Sequence, residues 1–395
     1  MTTNSIDELL YDLLNSLDSL ERKIIAKKVF TGFDGFVDKI QKAVVHRNDD
    51  EIIFYKTLDE FADRIKSVAG KSGQIEMMTQ KIKLGGNAPI LANTLGKFGV
   101  STVCLGSLGY PEIHDVFRTM HKNCMLLSAL KPGESDAIEF DDGKLILSEL
   151  SVFDHYNWPA IKNIIGLESI RKIVLESDLL AFVDWVNLPH SSAIWEGVLN
   201  DIIKPSEKRD FIFLFDLCDP SKRNNEEIEK VLDLISYFSP YGNVTLGLNE
   251  NETIKIWEAI TETDRNRRPK KVPSVLDAGS LIYKSLNIDS LLIHPVDRTI
   301  LFHQQEVYEL PGRFVTEPEV LTGGGDNLNA GYCLGLLAGL SFHMCMLLGM
   351  ATSGSYIQNG KSADIQDLKK YLQRWINESE LSSENVRSLV GEKVV

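Results

Sequence analysis

Apolar residues recur at intervals of three and four from Leu10 through Leu13, Leu17 and Leu20 to Ile24, which predicts an amphipathic helix. Ser5 and Glu8 stand at capping-box spacing just ahead of it. Residues 1–28 therefore read as an appended helix that docks on the body or on a partner subunit. From Lys28 the pattern changes. Apolar runs at Lys28–Phe33, Ser101–Leu105, Leu179–Val183, Phe211–Phe215, Val244–Leu248 and Leu291–His294 predict strands. Helical patterns, such as residues 86–98 and Glu226–Phe238, lie between several of them. Alternating strands and helices predict an α/β fold, a three-layer sandwich with a mostly parallel central sheet covered on both faces.

Two regions break that rhythm. Gln41–Ile82 and Leu126–Val152 are richer in short alternating runs, such as AIEFDDGKLILSEL with its Asp142-Gly143 turn. They predict hairpins, hence a small β-sheet lid inserted in an α/β body of residues 29–362. Residues 363–395 read as a C-terminal helix and tail. GYCLGLLAGLSFHMCMLLGMA, Gly331–Ala351, is long enough to span a membrane and carries G-x-x-x-G spacings. Ser341 and His343 interrupt it and no cationic flank follows, so it reads as two buried helical pieces meeting near Gly339.

Composition narrows the function classes. The 395 residues are 43% apolar and 25% charged, which is globular, and the net charge of −14 offers no basic face for nucleic acid. The basic stretch RNRRPKK, Arg265–Lys271, reads as a solvated loop. Five scattered cysteines without a C-x-x-C pair predict reduced thiols in a cytoplasmic protein. The N-terminus MTTNSIDELLYDLL lacks the basic start of a signal peptide, and the histidines form no zinc-like cluster.

The stretch with most chemistry is LTGGGDNLNAG, Leu321–Gly331. Gly323, Gly324 and Gly325 ahead of a helix can aim backbone N–H groups at an anion, with the helix dipole adding positive charge. Asp326 then either caps the helix or accepts the proton of a hydroxyl attacking that anion's phosphorus. Polar clusters follow other strands: Asp34 and Asp38 in FTGFDGFVDKI, Gly85-Gly86-Asn87 before a helix, and Asn249 with Glu252 in GLNENE. Each alone fits ordinary turn and cap chemistry, and together they fit one shared cleft. SYIQNGKS, Ser355–Ser362, lacks the first glycine of a P-loop, and no strand is followed by G-x-G-x-x-G.

Together these motifs resemble the ribokinase-like (PfkB-type) carbohydrate kinases over about Lys28–Gly360. Thr322–Gly331 is similar to that family's T-x-G-A-G-D-x-F-x-x-G loop, with Gly324 for Ala and Leu328 for Phe. The resemblance implies that Asp326 is the base and that Gly323, Gly324 and Gly325 form the anion hole. It implies sugar contacts from Asp34 or Asp38 and from Gly85, Gly86 and Asn87, the usual Asn position being Ile90 here. It implies that Asn249 and Glu252 support magnesium and phosphate through water. The expected activity is transfer of the γ-phosphate of ATP, with Mg2+, to the hydroxyl of a sugar or polyol, under a closing lid. The glycine turn usual near the nucleotide is absent at Leu292–Arg298. A nucleoside kinase of the same fold and a catalytically silent sugar- or nucleotide-binding protein are the alternatives. No nucleic-acid or membrane partner is expected, and the lid suggests a homodimer.

Overall fold

The computed structural model describes residues 5–263, 272–320 and 322–391. The basic stretch Arg265–Lys271 and Leu321 lie outside the described residues. In chain order the strands are β1 Lys28–Gly32, β2 Phe36–Arg47, β3 Ile52–Phe54, β4 Glu76–Gly85, β5 Ser101–Gly106, β6 Cys124–Ser128, β7 Gly133–Phe140, β8 Gly143–Glu149, β9 Leu179–Phe182, β10 Phe211–Asp216, β11 Gly242–Leu248, β12 Ser290–Ile293, β13 Arg298–His303 and β14 Glu306–Pro311.

The central sheet runs β14-β13-β12-β11-β10-β9-β1-β5-β6. From β12 to β6 every neighbouring pair is parallel, and β13 and β14 close one edge as an antiparallel hairpin. The strands are apolar on both faces because both faces are covered. In β9, Leu180 and Phe182 join one core and Leu179 and Ala181 the other. In β10, Phe211, Phe213 and Phe215 face the first core and Leu214 the second. Phe182, Phe215, Phe238 and Trp195 pack ring against ring in that first core.

The N-terminal helix Ile6–Ile24 forms the predicted capping box at Ser5 and Glu8. Its apolar stripe is buried in the second core, against the C-terminal helix Ile365–Gly391. Tyr11 bonds Glu380 and Lys369 pairs with Asp18, which ties the two ends of the chain together. The long apolar segment forms two helices, Gly324–Leu337 and Phe342–Asn359. Their glycines serve close packing between these two: a Cβ on Gly331 would lie 2.5 Å from the carbonyl oxygen of Leu348, and one on Gly335 2.8 Å from Cα of Cys345. Among the described residues no helix is long and apolar enough to cross a membrane.

The lid is a five-stranded sheet in which β2 pairs with β3, β4 and β7, and β7 with β8. The helix Leu58–Ser67 covers one face through Phe61, against Ala43 and Ile138. The lid strands begin at Phe36, five residues before the expected Gln41, because β2 continues straight out of the turn after β1. Leu126–Ser128 belong to β6 of the main sheet, whose partner is β5. The hairpin turn centres on Asp141-Asp142, since Phe140 already pairs with Gly143.

Candidate active site

Parallel strands bring their C-terminal ends to one edge of the sheet. The chain steps from β1 to β5 and β6 in one direction, then returns to β9 on the other side of β1 and proceeds to β12. The order therefore reverses between β1 and β9, and a crevice opens at such a point. Asp34 follows β1, Asp184 follows β9, Asp216 ends β10, Asn249 and Glu252 follow β11, and His294 follows β12. The helix Gly324–Leu337 points its N-terminus at the same edge.

The three glycines have separate jobs. Gly323 is the N-cap, at φ 84° and ψ 6°, a left-handed conformation that suits glycine. A Cβ there would lie 2.9 Å from the Tyr356 hydroxyl. Gly324 and Gly325 are the first two helical residues, so their N–H groups and that of Asp326 precede the first intrahelical acceptors. Gly325 faces His294, whose Cε1 would stand 3.4 Å from an added Cβ. The helix starts two residues before Asp326, which removes the capping role for that carboxylate. Asp326 is instead a buried first-turn residue whose Oδ1 has no hydrogen-bond partner.

The next residues fix this turn from three sides. Asn327 donates to the carbonyl of Gly323 at 2.7 Å and accepts from Thr94 at 2.8 Å. Asn329 donates to Asp216 Oδ2 at 2.7 Å. From the lid, Lys144 Nζ donates to Thr322 Oγ1 at 3.1 Å.

The sequence-predicted sugar ligands divide. Asp34 is fully buried and accepts from the main-chain N–H groups of Asn87 and Ala88 at 2.6 and 2.8 Å. It thereby caps the helix Asn87–Lys97, whose N-cap Gly86 has φ 95° and no side chain to offer. Asp38 stands on the lid strand β2, its carboxylate lying over Gly85, where any Cβ would collide with it. Ile90, at the family's usual Asn position, is buried in the same helix. Asn249 and Glu252 form a reciprocal cap: Asn249 N–H and Nδ2 donate to the two Glu252 oxygens at 2.8 and 2.7 Å, and Glu252 N–H returns a bond of 2.9 Å.

Asp184 and Asp216 were not singled out from the sequence. Both close an apolar run with a charge, in AFVD and FLFD, which is the signal that would have found them. Asp184 has φ 54°, binds Asn187 through Oδ1 at 2.7 Å and leaves Oδ2 without a partner. Strained residues of this kind cluster where ligands bind. Burial and mutual repulsion raise the proton affinity of the assembled acids. Burial, then Asp216, Asp34, Asp184 and Glu252, raise Asp326 well above the usual carboxylate range. Burial and Asp216 push Glu252 up to about 8, and burial raises Asp184 to about 6. Enclosure by protein pushes the His294 imidazole down to about 4, so it is neutral at pH 7.

The chain is similar to known proteins in sequence and in fold. A family model described as prokaryotic ketohexokinase matches residues 8–375. A ketohexokinase from Haloferax volcanii is 23% identical over 364 residues, covering 91% of this chain and 94% of that one. A ribokinase from Thermotoga maritima has the same fold, with a TM-score of 0.60, 16% identity, and coverage of 88% of this chain and 99% of its own. So has a ribokinase II from E. coli in complex with ATP and Mg2+, with a TM-score of 0.59, 11% identity, and coverage of 88% and 99%.

Proposed function

Because this chain belongs to the prokaryotic ketohexokinase family, we propose that it transfers the γ-phosphate of ATP to a hydroxyl of a ketohexose, with Asp326 as the base. It is a sugar kinase, a phosphotransferase with an alcohol group as acceptor. One observation carries the finer reading: a buried carboxylate with a free oxygen, one residue after glycines whose N–H groups open a helix.

In the step itself Asp326 takes the proton of the attacking hydroxyl. The new bond joins that oxygen to the γ-phosphorus, the bond to the β,γ-bridging oxygen breaks, and ADP leaves. The N–H groups of Gly324, Gly325 and Asp326 meet the charge that develops on the phosphoryl oxygens. Asp38 on the lid and Asp184 with Asn87 on the body offer acceptors and a donor for the other hydroxyls of a polyol. Asp34 acts one step back, by holding the helix that carries Asn87.

Magnesium fits this site only together with the nucleotide. Among the described residues no three His, Cys, Asp or Glu side chains are grouped to hold a metal ion, yet the carboxylates are crowded enough to raise one another's proton affinity. Asp216, Asn249 and Glu252 would hold its waters, and its charge would balance the phosphate oxygens. The five cysteines are free thiols, which suits a reaction in the cytoplasm.

The test is ADP release measured across a panel of ketohexoses, aldoses and nucleosides, with native protein and Asp326→Asn. The expected result is turnover on ketohexoses, lost at least about 1,000-fold in the variant, with sugar binding retained. Normal turnover by Asp326→Asn would overturn the base assignment. A preference for nucleosides would overturn the acceptor.

A further inference from the structure

Tyr356 stands near the end of the helix Phe342–Asn359 with 6% of its surface exposed. Its hydroxyl makes no hydrogen bond among the described residues. A buried phenol ordinarily finds a partner, because a polar group left without one loses its hydration for nothing. Packing does not call for the oxygen, since a phenylalanine would fill the same space.

Two approaches place that hydroxyl in the cleft. On the body, a Cβ added to Gly323 would lie 2.9 Å from it and 3.3 Å from ring atoms Cε1 and Cζ, so the phenol lies against the open side of Gly323. Gly325 turns its open side to His294 instead, so the glycine turn has the phenol beside one end and the imidazole beside the other. From the lid, Lys144 Nζ reaches Thr322 Oγ1, next to Gly323, at 3.1 Å, and Asp38 is a charged neighbour of Lys144. The lid face that carries Asp38 therefore closes on the Tyr356 end of the turn. Burial, then the charges of Asp326 and Asp38, raise the phenol above its usual range, so it holds its proton throughout the working pH range.

We infer that Tyr356 binds the sugar, its phenol O–H donating to a sugar oxygen beside the hydroxyl that Asp326 deprotonates. This rests on the proposed reading of Asp326 as the base. The inference follows from what the other groups lack. Ionised carboxylates at Asp38, Asp184 and Asp326 accept hydrogen bonds and donate none. Sugar hydroxyls can donate to them, yet their lone pairs, and those of a ring oxygen, need donors. The phenol supplies a donor between two of these acceptors. It keeps its proton in the step; the one proton that moves goes to Asp326. A site that bonds a substrate oxygen rejects analogues lacking it, so Tyr356 selects for that oxygen.

Tyr356→Phe removes the oxygen and keeps the ring. The probe is whichever of fructose, tagatose, sorbose and psicose the native protein turns over fastest. Its binding is followed by calorimetric titration without nucleotide, alongside steady-state kinetics and thermal melts. The expected result is a sugar Kd weaker by about tenfold, kcat/KM for the sugar lower by about tenfold, a KM for ATP within about twofold of native and an unchanged melt. Deoxy analogues of the same sugar locate the oxygen: one of them should lose affinity for the native protein and none further for Tyr356→Phe. A sugar Kd within twofold of native would overturn the inference, as would analogues that all lose equally with both proteins. A raised KM for ATP with native sugar binding would move the hydroxyl to the nucleotide, and a lower melt would mark a structural role. Failure of the native protein to turn over any ketohexose, or normal turnover by Asp326→Asn, strikes the reading beneath. Native turnover lost in Asp326→Asn, beside native sugar binding by Tyr356→Phe, means that Tyr356 alone is misassigned.

Discussion

Asp34 and Asn87, 53 positions apart, are joined by a hydrogen bond of 2.6 Å from the Asn87 N–H to the Asp34 carboxylate. The second carboxylate oxygen takes the N–H of Ala88. A residue that the family resemblance gives to the substrate thus has both carboxylate oxygens bonded to a helix N-terminus beside it. Asp34→Ala should destabilise the fold by about 1–3 kcal/mol, because buried donors lose their acceptor. Asp34→Asn, which keeps one acceptor oxygen, should lose less. Urea unfolding of both variants checks this, and an unchanged midpoint for Asp34→Ala would return Asp34 to the list of pure substrate ligands.

The acid cluster sets a pH dependence for catalysis. A base must be ionised to act, and burial and Asp216 hold Asp326 in its protonated form above the usual carboxylate range. The acidic limb of kcat/KM for the sugar should therefore lie above that range. Asp216→Asn removes the charge that, after burial, raises Asp326 most and should move the limb to lower pH. A limb that stays in place in the pH–rate profile of that variant would show that another group titrates there.

The same groups govern stability. Asp184 at about 6 and Glu252 at about 8 keep protons that the unfolded chain releases above about pH 4. Between about pH 4 and 8 the folded state binds more protons, so stability falls as pH rises. The ligand-free melting temperature should be about 1–3 °C lower at pH 8 than at pH 6, the shift that about 1–2 kcal/mol makes in a chain of this size. Saturating ATP with Mg2+ should narrow the gap. Differential scanning calorimetry at the two pH values decides, and a flat profile would contradict the crowding of these acids.

Gly323 and Gly325 should respond differently to alanine. At Gly323 the left-handed backbone and the Tyr356 hydroxyl both oppose a Cβ, so Gly323→Ala should cost about 1–3 kcal/mol of stability along with activity. At Gly325 the backbone is helical and the nearest atom is 3.4 Å away, so Gly325→Ala should fold normally. Its methyl would stand on the face where the anion approaches, and the KM for ATP should rise about tenfold or more. Equal melting temperatures for the two variants would refute the division of labour.

The sequence by itself determined the parts of this protein that repeat a local physical rule. Continuous apolar strands alternating with helices specify a parallel sheet, and such a sheet places its strand ends, with Asp34, Asn249 and the turn before Asp326, along one edge. The Ser5–Glu8 cap and the break near Gly339 in the long apolar segment were legible for the same reason: each is a short-range pattern. Tertiary structure alone decided which side chains face one another across that edge. Asp326 is a first-turn acid and no cap because the helix starts two residues earlier, at glycines whose φ values no pattern specifies. Asp184 and Asp216 join the candidate site because β9 lies beside β1 and β10 beside β9, an order set by chain crossovers far apart in sequence. Lys144 meets Thr322 across 178 positions because a lid folds back over the sheet, and a charge at one hairpin tip carries no local sign of the partner it will find.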